Sequence, residues 1–422
     1  MANQISMLNE ERATPRGRVL LFSYAFPPMQ TQMTPAVVKP MAGLVRQGYV
    51  VDVLSAEPFS RYLGRDESLM PYVEKYFGNV IRLQPPSSLI GKLRLRSRLW
   101  STTPDLMDIL HRSAFNALMD LDLTHYQAVM TWSPFHSINP VVSRLKRHRP
   151  GIRWIAQFSD PWAGNPLEQR TLARIWSAWQ EPRTIAAADY LIHSSAYSMK
   201  LMLERHQGPL QTKSAVIPHP FDEKLFPARP KRENEKITLR YIGVLFGRRS
   251  PEPLFCALNL LLARRPDLRD RLNIELVGHV PHEMLQTSAA RSLPAGTVTH
   301  VPNVSYVESL EKMYDSDILL LIEADVKQNL FVPSKLSDYM GARRPIVGIA
   351  PPGGSWDVLE KLQCWRASPA DIDGISRAIE GAVAFVQEGA QGQWCDDAYR
   401  MEHSSGTVAG RISAVLEGGS AG

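Results

Sequence analysis

Short, unbroken apolar runs alternate with longer stretches of helical periodicity along this chain. Val19-Leu20-Leu21-Phe22-Ser23-Tyr24 opens the pattern. A strand covered on both faces reads as such a run, whereas a half-exposed strand alternates apolar and polar positions. After the Phe26-Pro27-Pro28 loop, Thr34-Pro35 supplies an N-cap and a proline at the first helical position. The spacing predicts a helix to Gln47, stopped at Gly48, and then a strand from Val50 to Leu54. The same alternation predicts strands at Ala128 to Thr131, Arg153 to Phe158, Tyr190 to His193 and Ala215 to Pro218, with helices at Asn139 to His148 and about Leu167 to Ala187.

Residues 226 to 236 change character: they are charged, contain proline and lack aliphatic side chains, which reads as a linker. Beyond it the alternation restarts. Strands are predicted at Thr238 to Ile242, Asn273 to Val277, Val298 to Val301, Ile318 to Ile322 and Ile346 to Ile349. Helices are predicted at Pro253 to Arg264, Ser305 to Asp315 and Ser334 to Ala342, with two more over 371–388 and 395–417. Strands alternating with helices imply a parallel sheet with helices on both faces. The expected fold class is α/β, with two doubly wound, Rossmann-like domains facing a cleft. The expected organisation is a disordered tail over 1–17, a first domain over 18–225, the linker, and a second domain over 237–394. A C-terminal helix, 395–418, crosses back to the first domain. Ligands in such sheets bind beyond the carboxyl ends of the strands. The loops after Tyr24, Met130, Phe158, Ile242, Val277 and Ile322 are therefore expected to face the cleft.

At 422 residues the chain has room for two ordinary domains, and 44% hydrophobic with 21% charged residues is a globular composition. No apolar run approaches the roughly 18 residues of a membrane span, and the first 17 residues lack the apolar core of a signal peptide. Cys256, Cys364 and Cys395 are scattered, without metal or disulfide spacing, which fits a reducing, cytoplasmic setting. The net charge of +6 is a modest excess suited to phosphates or an anionic surface. Nucleic acid is disfavoured as a partner, because aromatic residues do not interleave with the basic ones. Neither a Walker A motif nor a Gly-x-Gly-x-x-Gly fingerprint is present, which argues against NTP hydrolysis and dinucleotide redox chemistry.

The most informative stretch is Pro333-Ser334-Lys335-Leu336-Ser337-Asp338, between the apolar runs at Ile318 and Ile346. A helix start offers unpaired backbone N–H groups and partial positive charge. With Ser334 and Lys335 beside it, the helix start suits a diphosphate, and Asp338 one turn on can accept a ribose diol. The plainer readings are a surface lysine and a carboxylate that merely suits the helix dipole. In Gly243-Val244-Leu245-Phe246-Gly247-Arg248-Arg249, the glycines Gly243 and Gly247 allow close backbone approach, and Arg248 and Arg249 can fork onto phosphate oxygens. A solvated turn with surface arginines is the alternative. Asp160, before Pro161-Trp162, stands just past a strand and can orient a sugar or cap a helix. His136, in another loop after a strand, can hydrogen-bond a substrate hydroxyl when neutral. Residues 88–100 carry Lys92, Arg94, Arg96 and Arg98 among Leu89, Ile90, Leu93, Leu99 and Trp100. The segment reads either as an ordinary surface helix or as a peripheral contact with anionic lipid.

These residues, in this order, resemble a GT-B glycosyltransferase similar to family 4 of the retaining enzymes. Leu20-Leu21-Phe22-Ser23-Tyr24-Ala25-Phe26-Pro27-Pro28 resembles the family's first strand and loop, and Arg46 to Ser55 its second strand. Ser159-Asp160-Pro161-Trp162 resembles a motif of one branch, and Val216-Ile217-Pro218-His219-Pro220-Phe221-Asp222 resembles the turn that ends the first domain. Val332-Pro333-Ser334-Lys335-Leu336 resembles the donor helix.

The resemblance implies that Arg248 (or Arg249) and Lys335 neutralise the departing diphosphate, that Asp338 holds the ribose, and that His136 and Asp160 lie on the acceptor side. It implies no metal and no cofactor beyond a UDP- or GDP-linked sugar as donor. The activity implied is retaining transfer of a hexose to a saccharide, or lipid-linked saccharide, in polysaccharide or glycoconjugate assembly, peripheral at the inner face of a membrane. Two departures stand out. Leu330 occupies the place of the first acid of the Glu-x7-Glu pattern, with Glu323 nearby at a different spacing, and Met29-Gln30-Thr31-Gln32 replaces a Gly-Gly loop. A catalytically degenerate partner or scaffold protein and a nucleotide-sugar epimerase of the same fold are the alternatives.

Overall fold

The computed structural model describes residues 15–59, 64–85, 104–166, 168, 170–206, 210–327, 329–389 and 394–419. Residues 1–14 of the expected tail and the basic segment 88–100 lie outside the described residues. In the first half the strands are β1 (Gly17–Phe22), β2 (Met29–Gln30), β3 (Tyr49–Ala56), β4 (Gly64–Arg65), β5 (Val80–Leu83), β6 (Ala128–Trp132), β7 (Trp154–Phe158), β8 (Tyr190–His193) and β9 (Ser214–Val216). In the second they are β10 (Ile237–Ile242), β11 (Leu272–Val277), β12 (Val298–Val301), β13 (Ile318–Ile322), β14 (Ile346–Ile349) and β15 (Trp365–Ala367). They form a seven-stranded sheet ordered β5-β3-β1-β6-β7-β8-β9 and a six-stranded sheet ordered β12-β11-β10-β13-β14-β15, with β2 and β4 as a small separate pair. The ladders of both large sheets are parallel.

The apolar runs dictate this arrangement because the central strands are buried on both faces. In β1, Val19 and Leu21 enter one core and Leu20 and Phe22 the other. In β13, Ile318, Leu320 and Ile322 point one way, and Leu319 and Leu321 the other. The architecture is the expected α/β one of two doubly wound sheets. The pattern does not predict the helices Met70–Tyr76, His111–Asp120, Ala196–Arg205 and Gly354–Lys361, nor the strands β5 and β15. β5 and β15 are edge strands, short and interrupted by Arg82 and Arg366, and edges neither need nor tolerate a long apolar run. The last segment is split in two: Ser404 caps a fresh helix, Ser405–Leu416, after the short Asp397–Met401.

That last helix packs on the first domain. Val408, Ala409, Ile412, Val415 and Leu416 join the core that contains Val37, Met41 and Leu44 of the helix Thr34–Arg46. The approach is close: a Cβ on Gly43 would sit 2.5 Å from the Ser405 carbonyl oxygen. The charged stretch between the sheets is fastened to the second one. Arg229 forks onto Asp315, Lys231 pairs with Asp317, and Asn234 donates to both residues. No helix among the described residues is long and apolar enough to cross a membrane.

Candidate functional site

The carboxyl end of β10 turns sharply because two glycines meet there. Gly243 (φ +146) and Gly278 (φ +118) adopt backbone conformations that disfavour side chains, and a Cβ on Gly278 would fall 2.1 Å from the Gly243 carbonyl oxygen. The following loop folds back on itself, with Phe246 and Arg249 exchanging backbone hydrogen bonds and Gly247 (φ +53) at the tip. This hairpin separates the two arginines. Arg248 is exposed, while Arg249 turns inward and donates to Glu323 Oε2 at 2.8 Å. Glu323 directly follows β13, the hydrogen-bonded neighbour of β10, so the two strand ends bring the pair together.

Lys335 enters the same pocket from the start of the helix Ser334–Ala342. Its Nζ lies 4.1 Å from the centroid of the Tyr241 ring and 3.4 Å from where a Cβ on Gly243 would stand. Burial first, and the nearby Arg249 second, push its pKa down to about 7, with Glu323 pulling the other way. Two cations thus share one carboxylate. Arg249 Nε and Glu323 Oε1 are both buried without a hydrogen-bond partner among the described residues. The unpartnered guanidinium N–H favours an incoming anion with acceptor oxygens, whereas the unpartnered carboxylate oxygen calls for a donor such as a hydroxyl. The helix start itself has no side-chain cap: Ser334 Oγ points instead to the Gln32 carbonyl of the first domain, at 3.3 Å.

Asp338 lies one turn on, and it is engaged across the domain boundary. Its Oδ1 accepts from Lys39 Nζ at 2.5 Å and from the Tyr306 hydroxyl at 3.0 Å. Burial raises its pKa, and Lys39 and Tyr306 offset part of that rise.

The first-domain side is built from the ends of β6, β7 and β8. The His136 ring stacks on Trp162 (4.8 Å, 10° between planes) and lies 6.0 Å from Phe158. His193, at the end of β8, lies 5.7 Å from Phe158. Burial pulls the pKa of His136 down to about 3 and that of His193 to about 4, so both rings are neutral at physiological pH. Burial raises Asp160 to about 6, with no hydrogen bond or neighbouring charge among the described residues to offset it. The loop after β7 is pinned by the Ala163 N–H donating to Glu181 at 2.7 Å. A contact between the two sides runs from Ser195 Oγ to the Leu330 carbonyl at 3.5 Å.

The structure therefore gathers Gly243, Arg249, Ser334 and Lys335 on the second sheet, and His136 and Asp160 on the first. It leaves Arg248 in solvent, Gly247 at a loop tip and Asp338 in an interdomain ion pair. Sequence reasoning missed Glu323 as the partner of Arg249, and it missed Lys39. The signal for Lys39 was present: a lysine amid Val37, Val38 and Met41 on an apolar helix needs a buried counter-charge.

No protein-family model matches the chain, and no curated protein matches it. Solved structures do. HepE of Anabaena, in complex with UDP and glucose, aligns with TM-score 0.64 at 13% identity over 95% of this chain and 100% of that one. An alpha,alpha-trehalose-phosphate synthase (UDP-forming) of Burkholderia xenovorans, in complex with glucose-6-phosphate, aligns with TM-score 0.65 at 12% identity over 95% and 100%. Sucrose-phosphate synthase of Thermosynechococcus elongatus aligns with TM-score 0.62 at 16% identity over 96% and 99%. With both of its sheets and the helices that flank them matching end to end, the chain has the GT-B fold of these glycosyltransferases.

Proposed function

We propose that the protein is a retaining glycosyltransferase of the family 4 type. It moves a hexose from a UDP- or GDP-sugar to a saccharide or lipid-linked saccharide in polysaccharide or glycoconjugate assembly. The observation that carries this reading is the convergence of Lys335 and Arg249 on one buried carboxylate at the carboxyl edge of the second sheet. With Lys335 charged, the three groups carry one positive charge in excess, which suits the diphosphate of a nucleotide such as the UDP bound by the structurally similar HepE.

In the proposed reaction the bond from the anomeric carbon to the phosphate oxygen breaks, and the nucleoside diphosphate leaves with the electron pair. Lys335, Arg249 and the helix N–H groups at Ser334 and Lys335 stabilise the charge that develops there. The acceptor hydroxyl attacks the same face of the sugar, and its proton passes to the departing phosphate oxygen. Neutral His136 hydrogen-bonds a sugar hydroxyl, and Asp160 orients the acceptor. Gly243 lets the backbone approach the diphosphate, and Asp338 supplies an acceptor for the ribose. Arg248, in solvent on the same loop, guides the anionic donor inward. On this reading the cations take the place of a metal, and the basic segment 88–100 is available to contact a membrane.

Thermal melting with UDP, GDP, ADP and TDP tests the donor. Stabilisation grows with occupancy, by roughly 2.7 kcal/mol at a hundredfold excess over Kd, so one base should stand out. Lys335→Ala should lose about 10²–10³ in kcat, the range for removing one preorganised donor from a transition state. Equal turnover in the variant, or no shift with any of the four nucleotides, would refute the reading.

A further inference from the structure

The helix Thr171–Ala187 is built inside out. Its buried face consists of Ala173, Ser177, Glu181, Thr184 and Ile185, mostly small or polar. Its outward face carries Leu172, Ile175 and Trp179, exposed by 58%, 62% and 54%. These fall at i, i+3 and i+7, one stripe of a helix. Ala178, Pro182 and Ala186 are exposed on the same helix. Among the described residues the other large exposed apolar side chains are Phe246 and Met401, each from a different element. The buried face is polar for an identifiable reason: Glu181 accepts the Ala163 N–H that holds the loop after β7, and it also pairs with His206. Among the described residues, nothing comparable accounts for the stripe on the water side.

The charges on that outward face have one sign. They are Arg174 and Arg183, both exposed, and the Arg183 guanidinium sits 4.1 Å from the centroid of the Trp179 ring. The one acid of the helix is the inward Glu181. This pattern selects among occupants. In a symmetric dimer the patch would meet itself and bring like charges together in an apolar contact. A bilayer with anionic headgroups accepts all of it: leucine, isoleucine and indole enter the acyl boundary, while arginine stems extend to the phosphates.

We propose that the outward face of the helix Thr171–Ala187 docks the protein on an anionic membrane surface, with Leu172, Ile175 and Trp179 inserted and Arg174 and Arg183 at the headgroups. The docking surface lies close behind the first-domain side of the site. Trp176 of the same helix packs 5.6 Å from Trp162, which stacks on His136. That proximity favours an acceptor presented from the bilayer, a consequence that rests on the proposed transferase reading; the docking itself rests on the exposed side chains alone.

The test is co-sedimentation of the full chain with phosphatidylcholine vesicles, with and without phosphatidylglycerol. The expected result is binding to the anionic vesicles and little to the neutral ones. Arg174→Gln with Arg183→Gln should weaken partitioning roughly thirty-fold, at about fivefold for each basic residue near the surface. Ile175→Glu with Trp179→Glu should abolish it, with an unchanged melting temperature and unchanged turnover on a water-soluble acceptor. Wild-type protein that stays in the supernatant, or an Ile175→Glu/Trp179→Glu variant that sediments equally well, overturns the proposal. So does light scattering that shows a wild-type dimer and a monomeric variant, since the face would then join two copies. Wild-type protein that binds the anionic vesicles but turns over no donor would count against the transferase reading only.

Discussion

Two side chains in the candidate site carry pKa values moved toward neutrality from opposite directions. Burial lifts Asp160 to about 6, and burial with Arg249 lowers Lys335 to about 7. If Asp160 orients the acceptor as a carboxylate, activity rises as pH climbs through about 6 and the proton leaves. If Lys335 must be charged to receive the diphosphate, activity falls as pH climbs through about 7 and its proton leaves too. The predicted profile of kcat/KM, which reports the free enzyme, is a narrow bell between those values. Asp160→Asn should remove the acid limb along with most of the rate, and the alkaline limb should persist in the residue. A flat profile from pH 5 to 9 would separate both groups from the chemistry. His136 and His193, held neutral well below this window, contribute no limb.

At the scale of elements, much was legible in the sequence and the remainder has definite causes. Doubly buried strands such as β1 and β13 announce themselves, because covering both faces demands apolar residues at every position. Arg248 and Arg249 could not be told apart, because the hairpin between Phe246 and Arg249 decides which one turns inward. Glu323 stands off the Glu-x7-Glu spacing along the chain, yet its partner is fixed by register across the sheet, where β10 lies beside β13. The inverted helix at Thr171 reads as an ordinary helix until its faces are known. The docking of the C-terminal helix was open to inference, but its dependence on Gly43 was not. A Cβ at that position would meet the Ser405 carbonyl oxygen at 2.5 Å and the Ala409 Cβ at 2.8 Å. Gly43→Val should therefore push the two helices apart, at a cost of about 1–3 kcal/mol, the usual range for overpacking. Limited proteolysis should release a C-terminal fragment from the variant faster than from the wild type.

Across the whole molecule, one buried ion pair spans the two domains, alongside hydrogen bonds from the Tyr306 N–H to Asp66, from the Val307 N–H to Ser68 and from the Tyr197 hydroxyl to Asp357. Lys39 on the first domain and Asp338 on the second are nearly excluded from water, 1% and 6% exposed at the side chain, and the Tyr306 hydroxyl completes the cluster. Removing one partner strands the other charge, which typically costs about 3–5 kcal/mol, whereas replacing both with apolar groups is often neutral. Lys39→Met should thus lower the melting temperature, and Lys39→Met with Asp338→Leu should recover most of it. The loss in the single variant should shrink toward low pH. Burial already raises the Asp338 pKa and Lys39 is what holds it down, so without the lysine the carboxyl takes up a proton and sheds the stranded charge. The same pair bears on ligand binding. Asp338 is the proposed ribose acceptor, and its Oδ1 is held by Lys39 across the cleft. A nucleotide that recruits this carboxylate competes with the lysine, so domain contact and nucleotide affinity are coupled through a shared atom. Lys39→Met should then bind the preferred nucleoside diphosphate more tightly while the unliganded protein shows a larger radius of gyration in solution scattering. Weaker nucleotide binding at an unchanged radius would mean that Lys39 supports the site without restraining it, and that Asp338 serves the domain contact alone.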